Sequence, residues 1–349
     1  MPADERVTIG VPVYRGERFL KESLRSVQAQ THRALDVVVA FDGPEPATEA
    51  LVRPFLDDPR FRVLVRPERL GWVGNINALM AATETPFWVY HQQDDVIDAR
   101  YVETLVAHAR RHPDAAVVYC DMEAFGAQTW TMAQPSVTGS PVGRLLALFA
   151  DHHPAVAFRG LTRVEALRAS GGIRPNDADS FSADTTWMAS VARWGSLIRV
   201  PEVLYHKRYH DANEHGKWAR WPAEERARPW TVHCADLLEQ PMLVDAAVPE
   251  RRLLWLALVV RLTAARTAGH YVDVGALTLA ARAAMLDSLF ALAHARGADV
   301  AGWLEDDAAR VRLWTEAFYA PGARTWAAET GVLARKLATP AFWRRRLGL

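Results

Sequence analysis

Five apolar, mostly β-branched runs in the first 120 residues constrain this fold more than any other feature. They are Val7–Val13 (VTIGVPV), Leu35–Phe41 (LDVVVAF), Phe61–Val65 (FRVLV), Pro86–Tyr90 (PFWVY) and Ala115–Asp121 (AAVVYCD). Leu35–Phe41 is apolar almost throughout, as a strand buried on both faces requires. Helical patterns fill the intervals. Phe19, Leu20, Leu24 and Val27 mark a helix within 17–30, and others are expected over 47–56, after the Gly71 turn and over 101–111. Strands alternating with short helices imply parallel βαβ units. Right-handed crossovers then bring the strand C-termini to one sheet edge, where open α/β sheets bind ligands. The residues that follow each strand should therefore converge: Pro12–Tyr14, Asp42 with Gly43, the Gly71–Asn77 turn, and Gln92–Asp95.

From about 122 to 160 the pattern loosens, and Ala133–Gly143 (AQPSVTGSPVG) has the composition of a loop. A helix over 162–170 stops at Gly171-Gly172, and DADSFSAD leads into another carrying Trp187, Met188, Val191 and Trp194. SLIRVPEVLYHKRYH holds two short β-like runs, and the chain is helical in pattern from about 214. Half of the 349 residues are hydrophobic and 23% charged, which suits a soluble protein with a sizeable core. Lysine plus arginine equals aspartate plus glutamate at 41 each, so nothing global points to nucleic acid. Two cysteines, Cys120 and Cys234, make a disulfide scaffold implausible and a reducing compartment the default. The first ten residues lack an apolar h-region, so no signal peptide is expected. The apolar run Leu253–Val260 is too short to span a bilayer. The expected location is cytoplasmic.

Asp94 and Asp95 close the run WVYHQQDD. Adjacent carboxylates at the end of a buried strand repel each other and cost desolvation. They suit a divalent cation that neutralises phosphates, or a solvated turn capping the next helix. Asp42 could accept hydrogen bonds from a nucleobase or ribose, or form a turn with Gly43-Pro44. GWVGNINA could bring backbone N–H groups and the amides of Asn75 and Asn77 to a ligand, or be an ordinary turn and helix start; it matches neither the Walker A loop nor the dinucleotide fingerprint. Asp184 could be a general base or a helix cap. His152-His153 and the His206/His210 pair could bind metal or serve polar roles, with Arg208 as an anion contact.

Taken in order, these segments resemble family 2 glycosyltransferases. VTIGVPVYRGERFLKESLRSVQAQTH…LDVVVAFDGP is similar to the family's opening strand, helix and D-G turn. LGWVGNINALMAA resembles its glycine-and-asparagine helix start, and WVYHQQDDVID its L-D-x-D-D segment. GGIRP…SADTTWMASVARWGSLIRVPEVLYHKRYH resembles its later G-G, E-D and L-x-x-Y-R-x-H stretch. The resemblance covers about residues 7–212. It implies a GT-A fold, a mixed and mostly parallel sheet flanked by helices, followed by a C-terminal helical region. It implies an inverting transfer of a sugar from a nucleotide-diphosphate donor to an acceptor hydroxyl of a glycan or lipid-linked molecule, in cell-surface polysaccharide or glycolipid assembly. Under it, Pro12, Val13, Tyr14 and Asp42 would hold the nucleobase and ribose, and Asn77 the nucleotide side. Gln92 and Gln93 would stand at the donor phosphates. Asp94 would ligate Mg²⁺ or Mn²⁺, Asp95 would sit near donor sugar or acceptor, and Asp184 would be the base.

Some positions depart from the family. Gln92 stands where the first aspartate of D-x-D is usual, so a weaker metal site is expected. Ala183 replaces the glutamate of E-D, Ile76 a frequent arginine, and Arg15 an asparagine. Gln92 and Ala183 also suggest an alternative, a degenerate nucleotide-sugar-binding protein without catalysis. A nucleotidyltransferase would want a basic glycine-rich loop after the first strand, and VPVYRGERF lacks one. The expected division is a transferase domain over 1–213, its nucleotide half 1–121 and acceptor half 122–213, then a helical extension over 214–349. The 133–143 loop would border the acceptor. The final RKLATPAFWRRRLGL has five basic residues and no acid, and with Trp343 and Leu347 it could rest peripherally on the inner face of an anionic membrane.

Overall fold

A computed structural model describes residues 5–151, 156–211, 213, 221–264 and 277–298. His152-His153, the start of the Trp- and Arg-rich stretch at 217–220 and the basic tail lie outside the described residues. The chain divides into two compact units. The first comprises 1–139, 153–175 and 190–211; the second comprises 140–152, 176–189 and 212–349.

The first unit is built on a nine-stranded mixed sheet. The strands are β1 (Val7–Val13), β2 (Leu35–Phe41), β3 (Phe61–Val65), β4 (Phe87–Tyr90), β5 (Val96–Ile97), β6 (Ala115–Gly126), β7 (Trp130–Met132), β8 (Leu161–Arg163) and β9 (Ser196–Tyr209). The spatial order is β3-β2-β1-β4-β8-β6-β9-β5, with β7 paired to β6. Pairs β1–β2, β1–β4, β2–β3 and β6–β9 are parallel. β8, β5 and β7 run the other way. A parallel return needs a crossover of a dozen or more residues. The three residues between β6 and β7 leave room only for a hairpin, so β7 runs antiparallel to β6, and the sheet is mixed and partly parallel as expected.

The helices are α1 (Leu20–Gln28), α2 (Pro46–Val52), α3 (Gly71–Ala81), α4 (Tyr101–Arg111), α5 (Pro141–Asp151), α6 (Val164–Ala169) and α7 (Ala183–Ala192). Further on come α8 (Ala223–Leu238), α9 (Val248–Ala264) and α10 (Leu279–Ala295). α1 buries Leu20, Leu24 and Val27, the stripe its spacing prescribes. The core of the sheet is mostly apolar: Val7, Ile9, Val11, Val37, Val39 and Val89 show no exposure. Gly10 is required there, because a Cβ on it would lie 1.9 Å from the buried Trp88 ring. The loosely patterned stretch after 122 contains the end of β6, β7 and α5 as well as loop. SLIRVPEVLYHKRY is one strand, β9, whose pairing with β6 jumps between Val200 and Val203. Pro201 has no N–H for the ladder, so the interruption falls where the sequence breaks.

The second unit takes α5, the turn before α7 and the C-terminal helices. Trp230, Trp255, Leu254, Leu258 and Leu289 are buried in it. Among the described residues no helix is long and apolar enough to cross a membrane.

Candidate functional site

The loops after β1, β2 and β4 meet at the C-terminal edge of the sheet, as the alternation requires. Asp42 follows β2 and its N–H bonds the carbonyl of Val13 at 2.9 Å. The Asp42 carboxylate accepts from the N–H groups of Leu70 (2.7 Å) and Gly71 (3.1 Å). It therefore caps the start of α3, whose first donors have no partner within the helix. Tyr14 is joined to Gln93 in both directions at 2.9 Å: its N–H donates to Oε1, and its carbonyl accepts from Nε2. The Tyr14 ring lies 3.8 Å from the Arg69 guanidinium, a cation–π contact. Pro12 is half-buried and Val13 buried.

Asn77 turns its amide to a different partner. Its Nδ2 donates to the carbonyl of Ile173 (2.7 Å) and its Oδ1 accepts from the Ile173 N–H (2.9 Å). It pins the segment after Gly172, whose φ of +79° suits glycine.

The turn after β4 carries the two acids. Asp95 is 1% exposed and Asp94 8%. Asp95 accepts from Tyr205 Oη (2.7 Å) and from the N–H of Arg208 (2.8 Å), and Arg159 Nε lies 3.6 Å away. Burial first, then the Asp94 charge, pushes the Asp95 carboxyl above the usual range; Arg159 and Lys207 oppose this. Asp94 Oδ2 lies 2.7 Å from His210 Nε2. Arg208 donates to the Asp94 carbonyl (2.9 Å), pairs with Glu22 (2.7 Å) and stacks between Phe19 and Phe125. Gln92 Oε1 accepts from Arg159 Nη2 at 2.8 Å. The question raised by the adjacent acids thus has an answer in β9 and Arg159, which supply the donors and the positive charge.

Arg159 was not singled out by the sequence. Its signal is a lone charge in the apolar run AVAFRG, which marks a buried and paired cation. His91 is wholly buried; it bonds Ser23 Oγ through Nε2 (2.8 Å), while its Nδ1 is buried without a hydrogen-bond partner. Ser23 donates to the Gln92 carbonyl, so the network assigns the proton to Nε2 and leaves the ring neutral. His206 and His210 part company. His206 lies 3.3 Å from Glu123, not beside His210's partner Asp94.

Asp184 belongs to the second unit, in the first turn of α7. It is half-buried, and its Oδ1 accepts from the Thr185 N–H at 2.9 Å. The turn before it holds Asp179, Ser180 and Ser182 at φ of 56°, 55° and 51°. A run of such non-glycine conformers costs on the order of 1–3 kcal/mol each.

The residues present suit a divalent cation in part. Asp94 and His210 offer a carboxylate oxygen and an imidazole nitrogen side by side, donor types that Mn²⁺ accepts. Among the described residues no group of three or more His, Cys, Asp or Glu gathers, so further ligands would have to come from a bound diphosphate and water.

Known proteins resemble this chain in sequence and in fold. Residues 8–168 match the family model "Glycosyl transferase family 2". Glycosyltransferase GlyA of Streptococcus pneumoniae serotype 4 is 29% identical over 105 residues, 30% of this chain and 15% of GlyA. The chain thus spans a small part of that relative. The structure of S. aureus TarS 1-349 superposes with a TM-score of 0.62 at 16% identity, covering 99% of this chain and 92% of that one. Its complex with UDP-GlcNAc gives 0.61 at 15% identity, over 87% and 92%. Mannosyltransferase PcManGT from Pyrobaculum calidifontis, in complex with GDP-Man and Mn²⁺, gives 0.51 at 18% identity, over 95% and 85%. Residues 8–168 are thus similar to glycosyl transferase family 2, and the chain shares its fold with those structures.

Proposed function

We propose that this protein transfers a sugar from a nucleotide-diphosphate donor to an acceptor hydroxyl with inversion, in the assembly of a cell-surface polysaccharide or glycolipid. The observation that carries the reading is the convergence of Tyr14, Asp42, Gln92, Gln93 and Asp94 at one sheet edge, on a fold whose relatives are recorded with UDP-GlcNAc and with GDP-Man and Mn²⁺. Tyr14, steadied by Gln93 and faced by Arg69, is the stacking surface for the nucleobase. Pro12 and Val13 form the backbone beside it, and Asp42 orients the ribose while it caps α3. Asn77 serves the nucleotide side through the segment it pins. Asp94 and His210 would hold the divalent cation, which supplies charge stabilisation for the departing diphosphate. With Gln92 engaged by Arg159, this corner has one negative charge fewer than a D-x-D site, so weak metal affinity is part of the reading. Asp95 acts by fixing Tyr205 and Arg208 at the same corner.

Asp184 removes the acceptor proton as the hydroxyl oxygen attacks the anomeric carbon. Single-step attack opposite the leaving group inverts that centre. Residues 1–213 form the transferase portion and 214–349 its helical extension. The basic stretch at 335–349 extends the reading to an anionic membrane surface, which flotation with anionic vesicles tests.

Replacing Asp184 tests the chemistry. Asp184→Asn should cut transfer at least 100-fold and leave donor affinity within about twofold. A large loss of donor affinity would reassign Asp184 to the nucleotide. Gln92 and Ala183 favour a second reading, donor binding without transfer; a wild-type chain that binds nucleotide sugar but turns over no acceptor would support it.

A further inference from the structure

The turn that delivers Asp184 holds a conformation that its own residues disfavour. Asp179, Ser180 and Ser182 lie in the left-handed region, and none of them is glycine. Such a conformation persists only where the surroundings impose it. Those surroundings lie within the same compact unit, and most come from one face of α8. Arg228 donates to the Asp177 carbonyl at 3.1 Å. Asn176 Nδ2 donates to Asp236 Oδ2 at 2.9 Å and to the Phe181 carbonyl at 3.1 Å, while its Oδ1 accepts from the Ala178 N–H. The His233 ring sits edge-on to Phe181 and 3.4 Å from Thr186 Oγ1. Asp236 is held in turn by Arg296 at 2.8 Å, just after α10.

We propose that Asp236 is a positioning residue for transfer: through Asn176, and with Arg228, it moulds the 176–182 turn and so sets the place of Asp184. This assigns the C-terminal helical extension a part in catalysis and rests on Asp184 being the base. Both the turn and its brace lie beyond residue 168, where the family match ends. The cost of holding Asp236 half-buried supports the assignment. Desolvation raises its carboxyl to about 6, against the opposing pull of Arg296 and Asn176. A carboxylate kept ionised in such a place beside a strained turn is a mark of a functional constraint.

The test uses the full chain with Asp236→Ala, Arg228→Ala and Asp184→Asn. Backbone hydrogen exchange over 177–186 should accelerate at least tenfold in the first two variants, with β1–β4 unchanged. UDP affinity should stay within twofold of wild type. Across UDP-, GDP- and dTDP-sugars, kcat should fall at least tenfold at unchanged donor KM. If Asp236→Ala loses its fold, Asp236→Asn carries the same measurements at near-constant volume. Unchanged exchange over 177–186, or a loss of UDP affinity matching the loss of turnover, would overturn the proposal. Undiminished turnover in Asp184→Asn would overturn Asp184 as the base, and the exchange result would still decide whether Asp236 holds the turn.

Discussion

Arg159 ties together the two residues that looked least compatible, a buried acid and an amide at an acid's usual position. Its guanidinium reaches both Gln92 (2.8 Å) and Asp95 (3.6 Å) while 7% exposed. Removing one partner of a buried charge pair leaves the other uncompensated. Arg159→Met should therefore lower stability by about 3–5 kcal/mol, read by urea unfolding. Gln92 and Asp94 were visible in the sequence because they sit in a motif. Arg159 was not, because its partners come from elements about 65 residues away and spacing carries no trace of them. His91 gives a pH signature. Burial lowers its imidazole from 6.5 to about 4. Between those values the unfolded chain binds a proton and the folded chain does not, so stability falls as pH drops through this window. The loss should total roughly 3 kcal/mol by pH 4, and His91→Gln should flatten that part of the profile, as followed by thermal melts across pH 4–7.

At the scale of elements, the strands were legible and their directions only partly so. β1, β2, β3 and β4 begin and end close to where their apolar runs do, and β6 begins with its run but extends to Gly126. The antiparallel members are short, and β5 pairs with a strand more than 100 residues later. β9 read as two runs because Pro201 splits it, yet its ladder with β6 resumes beyond the break. Asn77 clasps Ile173, a contact 96 residues away that no local pattern encodes. Gly10→Ala tests the packing of β1 on β4. A methyl 1.9 Å from Trp88 must displace that ring, and a loss of about 3 kcal/mol is expected in denaturant unfolding. Asp236, which faces Arg296, Glu239 and Asp177, should act with the opposite sign to His91. Its folded value near 6 exceeds the unfolded 3.8, so its burial costs stability above pH 6, and that cost fades as pH falls towards 4.

At the scale of the molecule, the family segment at 8–168 carries Tyr14, Asp42, Gln92, Gln93 and Asp94, while Asp184 and the turn before it group with the C-terminal helices. The sequence placed the end of the transferase portion near 213. Within the second compact unit, α5 and 176–189 gather with the later helices, because helix packing joins segments that are distant along the chain. In the proposed function the first unit holds a nucleotide-diphosphate sugar. Calorimetric titration of the full chain with UDP-, GDP- and dTDP-sugars, with and without Mn²⁺, tests it most directly. One of these donors should bind at one site per chain, more tightly with Mn²⁺ and at least tenfold more weakly in Asp94→Asn. Absence of binding to every nucleotide sugar under both conditions would contradict the account.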